Sequence, residues 1–275
     1  MNSCKNLEQI LAARNFGPQS YPELFRLLRE STLVFLLPYH PELVGSTITL
    51  KSGDKLPKFV VWQSSEGRQI PIFTSKRFAN EACKKTGARD KQYAFAEMRG
   101  KELFDLLALQ SDWIVINLAC STNALFLDLE GVKKLADGSI LTPETGPTKH
   151  GTFQIVDPAD YPTDFLQPLF VFCRDRPQVK AAWLFRELPQ PGSPTCYVIM
   201  LKIVGDTVAL ERDFRIVAGC ACPKDVEYGL ILIDPNNTEL VKVTSTSTPF
   251  YAALDYKASG PLRGDRSAGE KSQPT

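Results

Sequence analysis

The most reactive residues in the sequence lie in one short motif, Cys220-Ala221-Cys222-Pro223. Two thiolates separated by one residue could supply half of a metal site, and a thiol at a helix end can have a shifted pKa. A zinc site needs about four ligands, however, and no second cluster of cysteine or histidine stands nearby in the sequence. The motif therefore predicts two small, partly buried residues at a helix end. The alternative is that Cys220 and Cys222 are reactive thiols.

The two histidines and the other cysteines give no catalytic pattern. His40 stands in a proline-flanked segment and His150 in a loop-like stretch, and neither is next to a nucleophile in the sequence. The sequence has no serine-hydrolase elbow, phosphate-binding loop, dinucleotide-binding fingerprint or zincin motif. We therefore predict no catalytic residue, no metal site and no cofactor. The cysteines with apolar neighbours are predicted to be core residues: Cys83, Cys120, Cys173 and Cys196.

Composition indicates a soluble globular protein with one large or two modest domains. The chain has 275 residues, 43% of them hydrophobic and 23% charged, with a net charge of +1. This balance gives no overall field that would favour nucleic acid or an anionic membrane, and no apolar run reaches the ~20 residues of a membrane span. The N-terminus has no apolar signal segment, and seven cysteines, an odd number, indicate reduced thiols. We expect a cytoplasmic protein whose arginines Arg14, Arg26 and Arg29 and basic cluster 84–91 are solvated.

The segment from Lys58 to Phe78 predicts a strand, a polar turn, a second strand and the start of a helix. The turn around Gly67 predicts a hairpin loop longer than two residues. Pro71 has no N–H, so we expect its strand to lie at a sheet edge. Thr74 and Ser75 can cap a helix over 76–84, or form a small site for an anion or a peptide at its N-terminus.

The remaining pattern predicts two α+β domains. Two helices lead into the first sheet, and Asp128 caps a helix that ends at Gly138. Residues 137–150 are rich in Gly, Pro, Ser and Thr and predict the domain boundary. The second half has the order β-α-β-β-α-β, which is typical of a ferredoxin-like fold, although 239–250 fits either strand or helix. We predict domains over 1–140 and 141–256 and a disordered polar tail over 257–275.

The segment Thr248-Pro249-Phe250-Tyr251 combines a rigid turn with two large rings. We expect Phe250 and Tyr251 to anchor the C-terminus to the core, because a polar tail follows them. The alternative is an aromatic patch that faces a partner. The predicted ligand or partner surface therefore comprises Pro71, Phe73, Thr74, Ser75, Phe250 and Tyr251.

Four blocks of the sequence resemble the enhanced-serine-sensitivity, or SseB, family. They are LFRLLRESTLVFLLP (Leu24 to Pro38), IPIFTSKRFA (Ile70 to Ala79), RGKELFDLL (Arg99 to Leu107) and TPFY (Thr248 to Tyr251). The resemblance covers about residues 6 to 254, both the N-terminal and the C-terminal domain of the family. The sequence departs from the family in the short β-branched run before TPFY and in its polar tail.

The resemblance implies a cytoplasmic bacterial protein without an established reaction, linked to serine sensitivity. We predict a non-catalytic binding or regulatory protein that recognises an unidentified protein or small ligand, and neither nucleic acid nor membrane. Because some relatives resemble companions of toxin or secretion clusters, one alternative is a toxin-neutralising immunity protein. The other alternative is a thiol-dependent enzyme of unknown substrate.

Overall fold

The computed structural model describes residues 2–38, 47–49, 58–65, 67–87, 93–142, 155–156, 162–187 and 195–256. His40, His150 and the tail 257–275 lie outside the described residues. The chain divides into two compact units, Met1–Thr142 and Pro143–Thr275. Each unit combines helices with a mixed sheet, which confirms the predicted α+β class.

The first unit is built on a seven-stranded sheet. Its helices are α1 (Asn2–Ala12), α2 (Tyr21–Glu30), α3 (Lys76–Lys85), α4 (Gly100–Leu107) and α5 (Leu129–Asp137). Its strands are β1 (Thr32–Leu37), β2 (Thr47–Thr49), β3 (Trp62–Ser64), β4 (Gly67–Phe73), β5 (Ala94–Arg99), β6 (Trp113–Ile116) and β7 (Leu125–Leu127). The strand order is β2-β5-β1-β4-β6-β7, with β3 also paired to β4.

Helices cover parts of both faces of this sheet. On one face, Val34 and Phe73 pack against Phe78 of α3. On the other face, α4 packs on β1, and α5 packs on β6 and β7. Side chains alternate between the two faces along each strand, so Ile114 and Ile116 lie on the α5 face and are fully buried. Strand β4 thus carries core residues on both faces of the sheet.

The prediction that Pro71 marks a sheet edge is wrong, because β4 lies inside the sheet. It pairs in parallel with β6 on one side and antiparallel with both β1 and β3 on the other. The pairing with β1 reaches Phe35 and Ile72, and the pairing with β3 begins at Gln69. Pro71 lies between these two partners, and the carbonyl of Leu36 accepts a hydrogen bond from Val60 instead, at 3.1 Å. The Leu36 carbonyl therefore has a hydrogen-bond donor, although Pro71 has no N–H to supply one.

The hairpin itself is confirmed, but its loop is shorter than predicted. Ser64 pairs with Gly67, so only positions 65 and 66 separate β3 from β4. Gly67 has φ 116°, a left-handed value that glycine adopts without the steric cost of a Cβ. The left-handed glycine lets the chain reverse within two residues.

Arg29 was expected to be solvated, and this expectation is wrong. Its guanidinium donates hydrogen bonds to the carbonyls of Leu135 and Ala136, at the C-terminus of α5. A cation at this end of a helix is stabilised by the partial negative charge of the last carbonyls. The other end of α5 is capped as predicted, since Asp128 accepts from the N–H of Gly131 at 2.8 Å. Gly138 ends the helix in the left-handed conformation, with φ 89°.

The second unit is built on a five-stranded sheet. Its helices are α6 (Thr163–Arg174), α7 (Val208–Ala221) and α8 (Thr238–Thr246), and its strands are β8 (Ile155–Val156), β9 (Val179–Glu187), β10 (Thr195–Ile203), β11 (Val226–Leu232) and β12 (Tyr251–Ala252). The strand order is β11-β10-β9-β12, with β8 also paired to β9. The ambiguous segment 239–250 therefore contributes most of a helix.

The predicted order β-α-β-β-α-β is present, but the ferredoxin-like arrangement is not confirmed. A split β-α-β unit would place a third strand between β8 and β9. Instead, β8 pairs directly and antiparallel with β9, whereas α7 joins the neighbouring parallel strands β10 and β11. One face of the sheet packs against α6 and α7 through Phe165, Phe172 and Phe214. On the other face, Trp183 and Met200 form a cluster with Leu240 of α8.

In the described part of the chain, none of the helices combines the length and the hydropathy that a bilayer crossing requires.

The close approach of α4 to the end of α2 predicts a strong requirement for glycine at position 100. A Cβ on Gly100 would lie 1.7 Å from the carbonyl oxygen of Leu28, and the Gly100 N–H donates to the Ser31 carbonyl at 2.8 Å. Gly100→Ala should therefore force the two helices apart and cost about 1–3 kcal/mol of unfolding free energy, measured by urea denaturation. In the helical control Gly219→Ala, the added Cβ would meet the Tyr228 hydroxyl at 3.4 Å, an ordinary contact. Equal midpoints for the two variants would contradict the observed packing.

Candidate functional site

The predicted site residues Thr74 and Ser75 lie where β4 ends and α3 begins. Thr74 is 2% exposed, and Phe73 and Pro71 are also buried. Ser75 occupies the N-cap position of α3 with an extended backbone, but its side chain makes no capping hydrogen bond. Among the described residues its buried Oγ has no hydrogen-bond partner. The structure therefore places the predicted surface mostly below the molecular surface.

A buried polar network joins this point to the carboxyl end of the neighbouring parallel strand β6. The side-chain oxygen of Asn117 accepts a hydrogen bond from the Thr74 N–H at 3.0 Å. Its amide nitrogen donates to the hydroxyls of Thr74 and Thr122, at 3.1 and 3.2 Å. Asn117 is fully buried and has φ 55°, so a non-glycine residue holds a left-handed conformation at the centre of the network.

The geometry of Asn117 explains why Thr74 does not cap α3 as expected. Its N–H and hydroxyl bond to Asn117, and the Asn117 N–H in turn donates to the Ile72 carbonyl at 2.8 Å. These bonds satisfy polar groups at the ends of β4 and β6 that have no partner in the strand ladder. We therefore assign this network to holding β4 and β6 together. The one sign of it in the sequence is a polar Asn directly after the apolar run of β6.

Phe250 and Tyr251 lie against the sheet of the second unit. Tyr251 forms β12 by pairing with Ala182, and the Phe250 N–H donates to the Ala182 carbonyl at 2.9 Å. The Tyr251 ring is 8% exposed and meets the Phe170 ring edge-on, with centroids 5.7 Å apart. These contacts favour the anchoring interpretation over a partner-facing patch.

Cys220 and Cys222 lie at the C-terminal end of α7. Cys220 is exposed, whereas Cys222 is partly buried and its thiol donates to the Val226 carbonyl at 3.3 Å. Burial and the nearby Asp225 carboxylate raise the pKa of Cys222 to about 11. A nucleophilic cysteine has the opposite shift, because the thiolate is the reactive form. Burial also raises the pKa of Cys120 to about 12.

Metal binding has no support from the described residues. No group of three or more histidine, cysteine, aspartate or glutamate side chains comes together there in a geometry that could hold an ion. Cys83, Cys173 and Cys196 are buried as predicted, whereas Cys120 is half-buried and donates to the Phe78 carbonyl at 3.4 Å.

A feature that the sequence analysis missed is an aromatic patch on the α3 side of the first sheet. Register places Trp62, Gln69 and Trp113 side by side on β3, β4 and β6, and places Phe126 of β7 beside Val115 in the next row. Trp113 is 49% exposed and Phe126 is 43% exposed. Two large aromatic side chains are therefore accessible on a sheet face whose other side is core. We call Trp62, Trp113 and Phe126 the aromatic patch.

Gln69 gives this patch a buried polar centre. Its side chain is 2% exposed, and among the described residues its Oε1 has no hydrogen-bond partner. A buried oxygen without a partner costs about 1–3 kcal/mol, and such groups are uncommon in folded proteins. No sequence signal distinguished these residues, because β6 and β7 are apolar on both faces and only strand pairing brings Trp113 next to Gln69 and Trp62.

The network around Asn117 predicts a large loss of stability when its side chain is removed. Asn117→Ala leaves the buried Thr74 N–H without an acceptor and keeps an alanine in the left-handed region, so we expect a loss of about 2–4 kcal/mol in urea unfolding. Ala119 has φ 58° but lies outside these hydrogen bonds. The matched variant Ala119→Gly should be neutral or stabilising, because glycine tolerates this conformation. A wild-type midpoint for Asn117→Ala would show that the network carries no stability.

The raised pKa of Cys222 predicts slow alkylation at neutral pH. With a pKa of about 11, only about 0.1% of this thiol is thiolate at pH 8. Mass-resolved alkylation across pH should therefore accelerate at Cys222 only as the pH rises towards 11. Folding raises the pKa of Cys222 above its ordinary value. The protonated thiol therefore contributes to the free energy of unfolding at neutral pH, and this contribution is lost as the pH rises above about 9. A pKa of Cys222 at or below about 8.5 would contradict the structure and would favour the alternative of a thiol-dependent enzyme.

Comparison with known proteins supports one part of the resemblance. Residues 147–252 match the family model described as SseB protein C-terminal domain. Searches among curated proteins and among solved structures found no significant match. The N-terminal part of the resemblance stays a prediction. The match lies within the second unit of the chain and includes the sheet of β9, β10 and β11, so this part of the chain is similar to the SseB protein C-terminal domain.

Proposed function

We propose that this protein acts by binding another protein through the aromatic patch, without catalysing a reaction. The observation that carries the proposal is the exposure of Trp113 and Phe126 on adjacent strands of a sheet whose opposite face is core. Exposed aromatic side chains on a rigid scaffold supply much of the binding energy in protein interfaces. The partner would place apolar side chains over these two rings.

Two features near the patch support a binding surface. Gln69 keeps an unpaired amide oxygen between Trp62 and Trp113, and a polar group that is costly in the free protein is a candidate for function. At the start of β4, Arg68 and Asp112 form an ion pair at 2.8 Å, and the Arg68 side chain is exposed. A charged pair beside apolar rings resembles the polar rim of an interface.

The thiol-dependent enzyme is the less favoured alternative. The pKa of Cys222 is raised by burial, which keeps the thiol protonated and a poor nucleophile near neutral pH.

Among the described cysteines no disulfide forms, and this supports a reducing compartment such as the cytoplasm. The link to serine sensitivity rests on the family resemblance, and it would describe the process in which the partner acts.

The proposal predicts that truncating the patch removes partners selectively. Immobilised wild-type protein and the double variant Trp113→Ala/Phe126→Ala would be incubated with lysate of the native host, and bound proteins quantified by mass spectrometry. Loss of two aromatic contacts of about 1–2 kcal/mol each should weaken binding of a specific partner by about 30- to 800-fold.

Leu109→Ala is the matched control, because Leu109 is 70% exposed in the same unit and lies outside the patch. It should retain every protein that wild type retains. Thermal unfolding of all three proteins checks that they are folded, which we expect because both aromatic side chains are half exposed. Identical protein profiles for the double variant and wild type would overturn the proposal.

A further inference from the structure

Arg186 lies on β9, between β8 and β10, in the interior of the second sheet. Its side chain is half-buried, and among the described residues its enclosed Nε has no hydrogen-bond partner. A guanidinium carries a permanent positive charge and five N–H donors, so withdrawing it from water without an acceptor is costly. An orphaned group of this kind is uncommon in a folded protein and points to a role outside the fold itself.

The other four arginines that the structure describes in this unit each have a partner. Three form ion pairs with carboxylates: Arg174 with Asp175, Arg212 with Asp213, and Arg215 with Glu211. Arg176 lies over the Phe172 ring, 4.4 Å from its centroid. Asp164, the acid in the first turn of α6, is exposed and forms no ion pair with Arg186. Within the described part of the unit, Arg186 is therefore the arginine without a counter-charge or a ring.

Arg186 stands at the end of a row of aromatic rings. Its side chain lies on the sheet face that packs against α6 and α7, because Leu184, two residues earlier, belongs to the core cluster on that face. Register sets Tyr197 of β10 directly opposite Arg186, and Tyr228 of β11 beside Tyr197. The buried Phe165 of α6 packs on both tyrosine rings, with centroid distances of 6.0 and 6.4 Å.

The two tyrosine hydroxyls differ in what they bind. The Tyr228 hydroxyl donates to the Arg215 carbonyl at 3.0 Å. Among the described residues the Tyr197 hydroxyl takes part in no hydrogen bond, and Tyr197 is half-buried. Directly opposite residues of an antiparallel pair have Cβ atoms about 5 Å apart. The guanidinium of Arg186 and the hydroxyl of Tyr197 could therefore both donate to one oxyanion.

The charge of this row favours a carboxylate as that oxyanion. Arg186 supplies one positive charge, and its described neighbours in the row are the uncharged Tyr197 and Tyr228. A carboxylate brings one negative charge and two coplanar oxygens, which match the fork of a guanidinium. A phosphate monoester carries about −1.5 to −2 charges at neutral pH, so part of its charge would stay uncompensated in a half-buried place.

We propose that Arg186 and Tyr197 form a binding site for the carboxylate of a small organic acid whose apolar body lies on the Tyr197 ring. The carboxylate accepts hydrogen bonds from the guanidinium and from the phenol hydroxyl. It brings the counter-charge that Arg186 lacks in the free protein. The site lies in the second unit and is independent of the aromatic patch.

NMR titration of the full chain with sodium benzoate tests this site. The Nε–Hε resonance of Arg186 and the Tyr197 amide should shift saturably, with a Kd in the millimolar range. Arg186→Met should raise this Kd at least about tenfold, because it removes charge-assisted hydrogen bonds. The matched control Arg176→Met removes an arginine that already has a partner and should bind as wild type does. Absence of a saturable shift at Arg186, or an equal loss in Arg176→Met, would overturn the proposal.

Acetate and inorganic phosphate test the class of ligand. Acetate has the carboxylate without the ring and should bind several-fold more weakly than benzoate. An equal Kd for acetate would mean that any carboxylate suffices, including an acidic side chain of another protein, and would overturn the small acid with an apolar body. Tighter binding of phosphate than of benzoate would overturn the carboxylate.

Thermal unfolding without benzoate tests whether Arg186 is unpaired in the free protein. Arg186→Met replaces a half-buried charge with an apolar side chain of similar length, so its unfolding midpoint should rise although binding is lost. Arg176→Met should not raise the midpoint, because it removes a cation–π contact. A lower midpoint for Arg186→Met would show that the guanidinium is already satisfied and would contradict the site.

Discussion

Hydrogen bonds from β4 to three other strands organise the first unit. β4 pairs with β1 and β3 along one side and with β6 along the other. Pro71 lies between the part of β4 that pairs with β3 and the part that pairs with β1. A proline inside a sheet normally leaves a carbonyl without a donor. Here Val60 supplies that donor to Leu36, so the chain before β3 becomes part of the sheet. The same arrangement brings β6 next to β4, and with it the Asn117 network and the row of Trp62, Gln69 and Trp113.

Local sequence signals predicted most elements of the fold. The β-branched and apolar run at Thr32–Leu37, the Asp128 cap and the left-handed Gly138 each act within a few residues, and the structure has all three. Signals that depend on distant partners were misread. Pro71 suggested an edge because its missing donor is visible in the sequence, whereas the compensating bond from Val60 is not. Arg29 looked like a solvated helix residue because the α5 carbonyls it binds are about a hundred positions away.

The candidate site was harder to predict than the fold, for a related reason. Thr74 and Ser75 were correctly placed between strand and helix, but their burial follows from the α3 packing and from Asn117. The aromatic patch depends on the pairing of four strands, and alternation alone does not say which face of an apolar strand meets a helix. The thiol motif was visible in the sequence, but the pKa of Cys222 is set by its burial and by Asp225. The structure therefore argues against the thiol chemistry that the sequence suggested, and the candidate site becomes the aromatic patch, which strand pairing creates.

We propose that a protein partner lies directly on Phe126 and Trp113. A photo-crosslinking amino acid introduced at position 126 in the native host tests it most directly, with position 109 as the exposed comparison in the same unit. We expect a discrete crosslinked product of higher mass from position 126 and none of that mass from position 109. The same products from both positions, or none from position 126, would contradict it.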